Sequence, residues 1–369
     1  MPSEPGETGP KPRIIDLFAG PGGLDVGATW LGIPTTGIEL DANACATRTA
    51  AELKTVPDDV RAYGPSDFPE ANVLTGGPPC QTFTVAGTGS GRHALDDVVR
   101  RVTEMAESPK AEHTLGGFAD ERTGLVLEPM RWALSALRAG APFQAIVLEQ
   151  VPAVLPVWAA FRAVLERFGY QVAHGVLRTE EFGVPQTRRR AILIARLGTH
   201  GISLPAPTHH GFRKGGPEQT AFDLEPWVSM GEALGHDVDF TVVSNYGSGG
   251  DPRNRGVRHS DEPSATVTGK IMRNRLRFPD GDWRRLSHQE AGVLQTFPRD
   301  YPWSGKDIGQ QIGNAIPPRL AVHVLAQAIG VTFDGAKLDQ VVTARWEDSR
   351  LGPLAAQPAE LRDLASTLD

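Results

Sequence analysis

Two cysteines, Cys45 and Cys80, are all that 369 residues contain, and no Cys-x-x-Cys pair occurs. That count excludes a disulfide framework and a thiolate zinc site. No stretch of about 18 apolar residues is present, so nothing reads as a transmembrane helix. Met1 to Lys11 is rich in Pro, Gly and Glu and lacks the apolar core of a signal peptide, and it reads as a disordered leader on a cytoplasmic protein. Internal repeats are also missing. Positive charge is in deficit, with Lys+Arg 37 against Asp+Glu 44, and the net −7 argues against general coating of nucleic acid. The deficit is uneven. From Arg253 to Arg285 nine Lys/Arg stand against four Asp/Glu, a local +5 suited to directed phosphate contacts. The length allows two domains.

The most informative stretch runs from Asn72 to Gly87. Asn72-Val-Leu-Thr reads as a buried strand running into Gly76-Gly77, Pro78-Pro79 and Cys80. Proline fixes φ and cannot continue a strand ladder, so the strand stops and turns there. Cys80 is thereby placed on a stiff loop just past a strand end, where open α/β sheets bind ligands. Cys45, within Asp41-Ala-Asn-Ala-Cys-Ala, reads as a small buried helix residue.

Arg13-Ile-Ile-Asp-Leu-Phe predicts a first strand, followed by Ala19-Gly-Pro-Gly-Gly and a helix ending at Gly32. A strand, a glycine turn and a helix start form a nucleotide-type site, although the spacing is not Gly-x-Gly-x-x-Gly. Thr35-Thr-Gly-Ile predicts the second strand, with Glu39 at its tip to accept hydrogen bonds from ribose hydroxyls. The competing reading of Glu39 is an exposed helix-start acid. Asp59 is placed to hold an adenine amino group, or is a solvated loop acid. Residues 94–107 show helical spacing inside a glycine-hinged segment, 88–121, that reads equally as a lid or a passive insertion.

Helices are expected over 125–138 and 156–168, and strands at Ala145–Glu149, Tyr170–Leu177 and Ala191–Ala195. Their alternation implies an α/β fold with a doubly wound, mostly parallel sheet. Glu149 is again a carboxylate at a strand tip. From about Gly198 the periodicity disappears, and an irregular second domain is expected. Its His209-His210 pair reads as a surface loop rather than a metal site. Ser287 and Glu290 form a capping box that starts a helix, and Gln311-Ile-Gly-Asn-Ala-Ile-Pro-Pro leads into an apolar helix to about Ile329. Leu361, Leu364 and Leu368 form one stripe of a short C-terminal helix.

Taken in order, these blocks resemble the DNA (cytosine-5) methyltransferase family of bacterial and phage type. Asp16-Leu-Phe-Ala-Gly-Pro-Gly-Gly23 is similar to its S-adenosylmethionine loop, and Gly77-Pro-Pro-Cys-Gln-Thr-Phe83 to its catalytic loop. Gly183-Val-Pro-Gln-Thr-Arg-Arg-Arg190 resembles its Gln-x-Arg-x-Arg motif, and Gly313-Asn-Ala-Ile-Pro-Pro318 its closing motif, which packs against the cofactor. One block departs: Glu149-Gln150-Val151 stands where the family carries Glu-Asn-Val, which puts the local geometry of the loop in question. The resemblance implies a Rossmann-like catalytic domain over 13–198 completed by 304–334, a target-recognition domain over 199–303, a leader over 1–12 and a tail over 335–369. It further implies S-adenosylmethionine as cofactor, held by Phe18, Ala19, Gly20, Gly22, Gly23, Leu24, Glu39, Leu40, Asp59, Val60, Pro79, Leu125, Asn314 and Ala315. The implied partners are double-stranded DNA and a companion restriction endonuclease, with the chain itself a monomer and with no metal.

The chemistry explains the residue types. Cytosine C5 is too poor a nucleophile to take a methyl group unaided, and a thiolate adding at C6 makes C5 an enamine carbon. Cys80 fits that role. Protonation at N3 calls for a carboxylic acid in a dry pocket, and Glu149 is the candidate. Arg188 and Arg190, two apart on an extended segment, share a face and can donate to the cytosine O2, while Arg189 reads as solvated. A base inside a duplex must be flipped out to be reached. Arg253, Arg255, Arg258, Lys270, Arg273, Arg275 and Arg277 are candidates for phosphate contacts or for reading guanine edges. A tRNA cytosine-5 methyltransferase is the first alternative, but that subfamily's Cys-Phe-Thr signature is absent. A catalytically silent DNA-binding homologue and a nucleotide-dependent oxidoreductase are the others; retention of Cys80, Glu149 and both arginines opposes the former, and the Pro-Cys loop has no role in the latter.

Overall fold

The computed structural model describes residues 10–79, 89–108, 121–198, 201–215, 223–244, 256–351, 354 and 357–358. Short runs of β-branched and aliphatic residues form its central sheet: β1 (Ile14–Leu17), β2 (Thr35–Ile38), β3 (Thr55–Val56), β4 (Val73–Gly76), β5 (Ala145–Gln150), β6 (Tyr170–Arg178) and β8 (Arg189–Leu197). The order is β3-β2-β1-β4-β5-β8-β6. Every pairing is parallel except those of β8, which runs antiparallel to both β5 and β6. The expected mostly parallel α/β sheet is therefore what forms.

Strand order reverses at β1, which pairs with β2 on one side and β4 on the other. Such a switch point opens a crevice at the carboxyl ends of the strands. The register makes those ends level: Leu17 lies opposite Ile38 and Gly76, and Gly76 opposite Leu148. The residues that follow each strand are thus delivered to one rim.

Alternation along the strands splits the core into two layers. Ile146 and Leu148 of β5 face a cluster with Met130, Trp158 and Phe161 from helices Glu128–Arg138 and Leu155–Arg167. Ala145 and Val147 face the other layer, with Val26 from α1 (Gly23–Trp30) and Leu320, Val324 and Leu325 from helix Pro318–Ile329.

The expectation of an irregular segment over 199–303 is corrected in part. Strands Thr241–Val243 (β9), Val257–His259 (β10), Arg275–Arg277 (β12) and Trp283–Arg285 (β13) form a sheet in the order β10-β9-β12-β13, with antiparallel pairings throughout. Each strand is three residues long, too short to show a period. A third apolar cluster, including Met230, Phe240, Val242 and Leu276, packs beneath it and reaches Leu294 and Ile312. Ser264–Ala265 (β11) pairs with Gln186–Thr187 (β7) and joins this part to the main sheet. The capping box forms as expected, with Ser287 and Glu290 exchanging hydrogen bonds of 2.7 and 3.1 Å. The leader up to residue 9 and the leucine stripe at 361, 364 and 368 lie outside the described residues, as do 88 and 109–120 of the 88–121 segment. Helix Gly89–Glu107 covers the expected 94–107. No helix among the described residues is long and apolar enough to cross a membrane.

Candidate active site

The loop after β1 turns sharply: Phe18 has φ 60, Gly20 φ 55 and Gly22 φ 103, all left-handed conformations that glycine adopts without strain. Gly23 is required for a different reason. A Cβ there would sit 2.2 Å from the Ile316 carbonyl, so the closing segment Asn314-Ala315-Ile316 presses directly on the start of α1. Leu24, next on α1, is buried. The Gly20 N–H donates to Glu39 Oε2 at 2.7 Å and the Asp41 N–H to Oε1 at 2.7 Å, so Glu39 ties the glycine loop to the tip of β2. Beside it Leu40 is 65% exposed, an apolar surface left open at the rim. Asp59 does not stand free: Arg61 pairs with it at 2.6 Å and holds its carboxyl below the ordinary range. Val60 is buried, Leu125 half-buried at the end of helix Glu121–Leu125, and Pro79 half-buried. Asn314 is exposed and accepts from Gln310 at 2.8 Å, while Ala315 is buried. Cys45 is half-buried and donates to the Glu39 carbonyl.

Beneath this loop lies a charged cluster that the sequence did not reveal. Arg48 is fully buried and forms a two-armed pair with Asp25, both arms 2.8 Å. Asp16 accepts from Thr75 Oγ1 at 2.6 Å, and burial, with Asp25 adding, pushes its carboxyl up to about 8. Tyr301 donates to the Pro21 carbonyl at 2.6 Å. Asp25 and Arg48 are 23 positions apart with no local pattern, so only the fold brings them together.

The second half of the rim is built from β4, β5 and β8. Glu149, buried at the end of β5, forms an ion pair with Arg190 near the start of β8. A Cβ at Gly77 would lie 3.6 Å from Glu149 Oε2, so the loop leaving β4 runs past this carboxylate. Gln150 donates to the Pro78 carbonyl at 2.7 Å and anchors that loop. Cys80, three residues beyond Gly77, lies outside the described residues. Burial pushes the Arg190 guanidinium below its ordinary value, and Glu149 opposes the shift.

Arg188 is placed differently from Arg190. It donates to the carbonyls of Val267 and Gly313 at 2.8 Å and of Ala315 at 3.1 Å, and burial pushes it well below its ordinary value. Gln186 and Gln295 extend the same buried network, bonded to each other at 2.6 Å. Arg190 also opens onto a cleft of about 1000 Å³ that carries Arg178, Arg189, Arg213, Lys214 and Arg258 against Glu180 and Glu181. Six cations facing two carboxylates make an electropositive groove on an acidic chain, the charge pattern of a directed polyanion contact.

The family model for the C-5 cytosine-specific DNA methylases matches residues 12–111, 112–221 and 219–330. This chain belongs to that family. The type II methyltransferase M1.HphI of Haemophilus parahaemolyticus is 29% identical over 355 residues, covering 85% of this chain and 86% of that protein. The type II methyltransferase M.AplI of Arthrospira platensis is 26% identical over 338 residues, covering 87% and 86%. Among solved structures, the Dnmt2 methyltransferase of S. pombe superposes with a TM-score of 0.59 at 16% identity, covering 86% of this chain and 98% of that one, a likeness of fold. The protein is a DNA (cytosine-5-)-methyltransferase.

For this methyltransferase the structure brings together Glu149, Arg190 and the start of the Pro-Cys loop, and separately the glycine loop, Glu39 and the closing segment. It does not leave Arg188 open, because carbonyls take both of its terminal nitrogens. The basic strip also divides. Leu276 and Arg258 both lie across from Val242, on the core side of the small sheet, whereas Arg275 and Arg277 are exposed on the opposite face; Arg253 and Arg255 lie outside the described residues. Lys270 and Arg273 are exposed. The surface-loop reading of His209-His210 is overturned: both are buried, His209 against Gly183 and Arg319. Among the described residues no group of three or more His, Cys, Asp or Glu is arranged to hold a metal ion.

Proposed function

We propose that this methyltransferase moves a methyl group from S-adenosylmethionine to C5 of a cytosine flipped out of duplex DNA, through a covalent adduct between Cys80 and C6. The observation that carries the reading is the Glu149–Arg190 pair beside Gly77, level along the sheet edge with the glycine loop. The cofactor fits the residues present. Gly20 has no atom within 4 Å of where a Cβ would stand, Glu39 sits at the tip of β2 and, among the described residues, accepts one hydrogen bond on each oxygen, and Leu40 offers an exposed apolar face for an adenine ring. Glu39 would hold the ribose, Leu40 and Val60 the base, and the Phe18–Gly23 loop with Asn314 and Ala315 the amino-acid portion. When bound, S-adenosylmethionine supplies an electrophilic methyl group to C5.

The chain's own residues prepare the cytosine. The Cys80 thiolate adds to C6, forming the C–S bond and moving an electron pair toward N3 and C5. Glu149, shielded from water, holds a proton at N3, and Arg190 donates to O2. Once C5 carries the methyl group, a base takes the C5 proton and the C–S bond breaks. A thiolate and a methyl donor cannot both reach a stacked base, so the nucleotide is extruded into the cleft. Gln150 keeps the Pro-Cys loop anchored in place of the family's asparagine. The type II names of its relatives support a companion restriction endonuclease.

The decisive experiment offers duplex DNA containing 5-fluorocytosine together with the methyl donor. A fluorine at C5 cannot leave as a proton does, so a stable protein–DNA adduct is expected with the wild type and none with Cys80→Ser. Labelled methyl transfer to duplex DNA but not to tRNA is expected in parallel. No adduct with the wild type, or full turnover by Cys80→Ser, overturns the reading.

A further inference from the structure

Tyr301 is fully buried and donates from its hydroxyl to the Pro21 carbonyl at 2.6 Å, in the middle of the turn whose φ is left-handed at Phe18, Gly20 and Gly22. A Cβ at Gly22 would stand 3.1 Å from that hydroxyl. Aromatic rings pack around the Tyr301 side chain. Phe297 and Trp303, with centroids 4.8 and 4.9 Å away, belong to its own turn. Trp346, at 5.4 Å and 74°, comes from helix Trp346–Leu351, past residue 330 where the match to the family ends. Trp346 is itself buried and anchored: its backbone N–H donates to Asp300 at 2.8 Å and its indole N–H to the Ala51 carbonyl at 3.2 Å. Farther on, the Leu354 N–H donates to the Trp30 carbonyl at 2.6 Å. The pairs of Arg345 with Asp300 and of Arg350 with Glu52 are partly exposed and add little. The segment thus lies across the ends of α1 and of helix Ala42–Ala50, and it reaches the glycine loop through Tyr301.

We propose that Trp346, acting through Tyr301, is a positioning residue for the glycine loop and sets the affinity for the amino-acid portion of the cofactor. This rests on the reading of that loop as the cofactor site. Glycines give a loop many conformations of similar energy, so without outside holds only a fraction of molecules present the binding shape. The apparent affinity of a ligand falls by that fraction. The Pro21 carbonyl lies between two left-handed glycines, and the Tyr301 hydroxyl pins it there. A tyrosine free to swing would not. Trp346 restricts the ring by packing against it and by its hydrogen bond to Asp300, the residue next to Tyr301. The adenosine half of the cofactor is assigned to Glu39, Leu40 and Val60, so this hold bears on the other half.

The test is isothermal titration of the full chain with S-adenosylhomocysteine and with methylthioadenosine, which carries the adenosine half but no amino-acid portion. Tyr301→Phe, Trp346→Leu and Trp346→Phe are compared with the wild type. Tyr301→Phe, which removes one hydroxyl, should weaken S-adenosylhomocysteine by about 3- to 10-fold and methylthioadenosine by less than about twofold. Trp346→Leu should show the same split, and Trp346→Phe, which keeps an aromatic ring toward Tyr301, a smaller one. Thermal melts identify any variant that has not folded; where Trp346→Leu has not, Trp346→Phe decides. Equal losses for both ligands, or a lower Tm with both affinities kept, would mark a merely stabilising contact and overturn the proposal. A Trp346→Leu variant that binds both ligands as the wild type does would overturn it equally. A wild type that binds neither ligand would overturn the cofactor reading, and the proposal with it, whereas a wild type that binds both beside variants without the split overturns the proposal alone.

Discussion

Gln150 donates its Nε2 to the Pro78 carbonyl at 2.7 Å while its Oε1 accepts from the Val151 N–H at 2.5 Å. One side chain therefore straps the loop leaving β4 to the end of β5, two residues before Cys80. Glutamine is one methylene longer than the family's asparagine, and here that length is taken up by the turn back to Val151. Gln150→Ala should leave folding intact and lower kcat by about 10- to 100-fold, because a reactive group displaced by about 1 Å loses about that much. KM for the cofactor should stay within about twofold. Steady-state kinetics on duplex DNA check this, and a wild-type kcat in Gln150→Ala would remove the anchoring role.

The Glu149–Arg190 pair makes a second, separable prediction. Glu149→Gln removes the proton held at N3 and should lower kcat by about 10² to 10⁴-fold. Arg190→Met leaves a buried carboxylate without its partner, and loss of one member of a buried pair costs about 3 kcal/mol. The double variant should be more stable in urea than Arg190→Met alone, since the stranded charge is then gone. Additive losses would mean that the two groups do not interact in solution.

Contact between the glycine loop and the closing segment can be tested at Gly23 and Gly20. A Cβ at Gly23 would stand 2.2 Å from the Ile316 carbonyl, a backbone atom that cannot move aside cheaply. At Gly20 space is open and only the left-handed φ of 55 resists substitution, at about 1 kcal/mol. Gly23→Ala should therefore weaken cofactor binding at least tenfold and lower Tm, with Gly20→Ala much milder. Equilibrium dialysis with the cofactor decides. Equal effects would show that the closing segment does not shape this loop.

How legible all this was in the sequence depended on range. Glu39 and Glu149 could be read because each ends a buried run of four or so residues, and the Ser287–Glu290 box because its partners are three apart. Arg188 could not, since its acceptors Val267 and Gly313 lie 79 and 125 positions away and are backbone atoms with no residue signature. The buried pair of Asp25 and Arg48 was hidden likewise, as charged residues on α1 and on helix Ala42–Ala50 look solvated until the two helices are placed. Three-residue strands such as Arg275–Arg277 carry too few alternations to be told from coil. His209-His210 misled because a polar pair after two prolines resembles a surface loop, whereas here the segment folds back onto Glu181, whose carbonyl accepts from the His209 N–H at 3.0 Å.

That histidine cluster should leave a mark on stability. His323 packs edge-on against Phe182 and Phe333, with centroids 5.0 and 5.1 Å away, and burial pushes it down to about 3, Arg319 and His209 adding to the shift. His209 is pushed down to about 4 by burial, with Arg319 and His210 adding and Asp339 opposing. Both folded values lie below the ordinary 6.5, so the unfolded chain binds more protons below that pH and stability falls as pH drops. Each histidine contributes a slope of up to about 1.4 kcal/mol per pH unit in that window. Asp16 acts in the opposite sense, because its folded value near 8 exceeds the ordinary 3.8 and its protonated form gains as pH falls. The wild-type curve alone therefore mixes the two signs, and the difference from His323→Phe isolates one of them. Between pH 7 and pH 5 the wild type should lose about 2 kcal/mol relative to His323→Phe, measured by urea unfolding at each pH. A difference that does not change with pH would show that His323 titrates in the folded protein as it does in the unfolded chain.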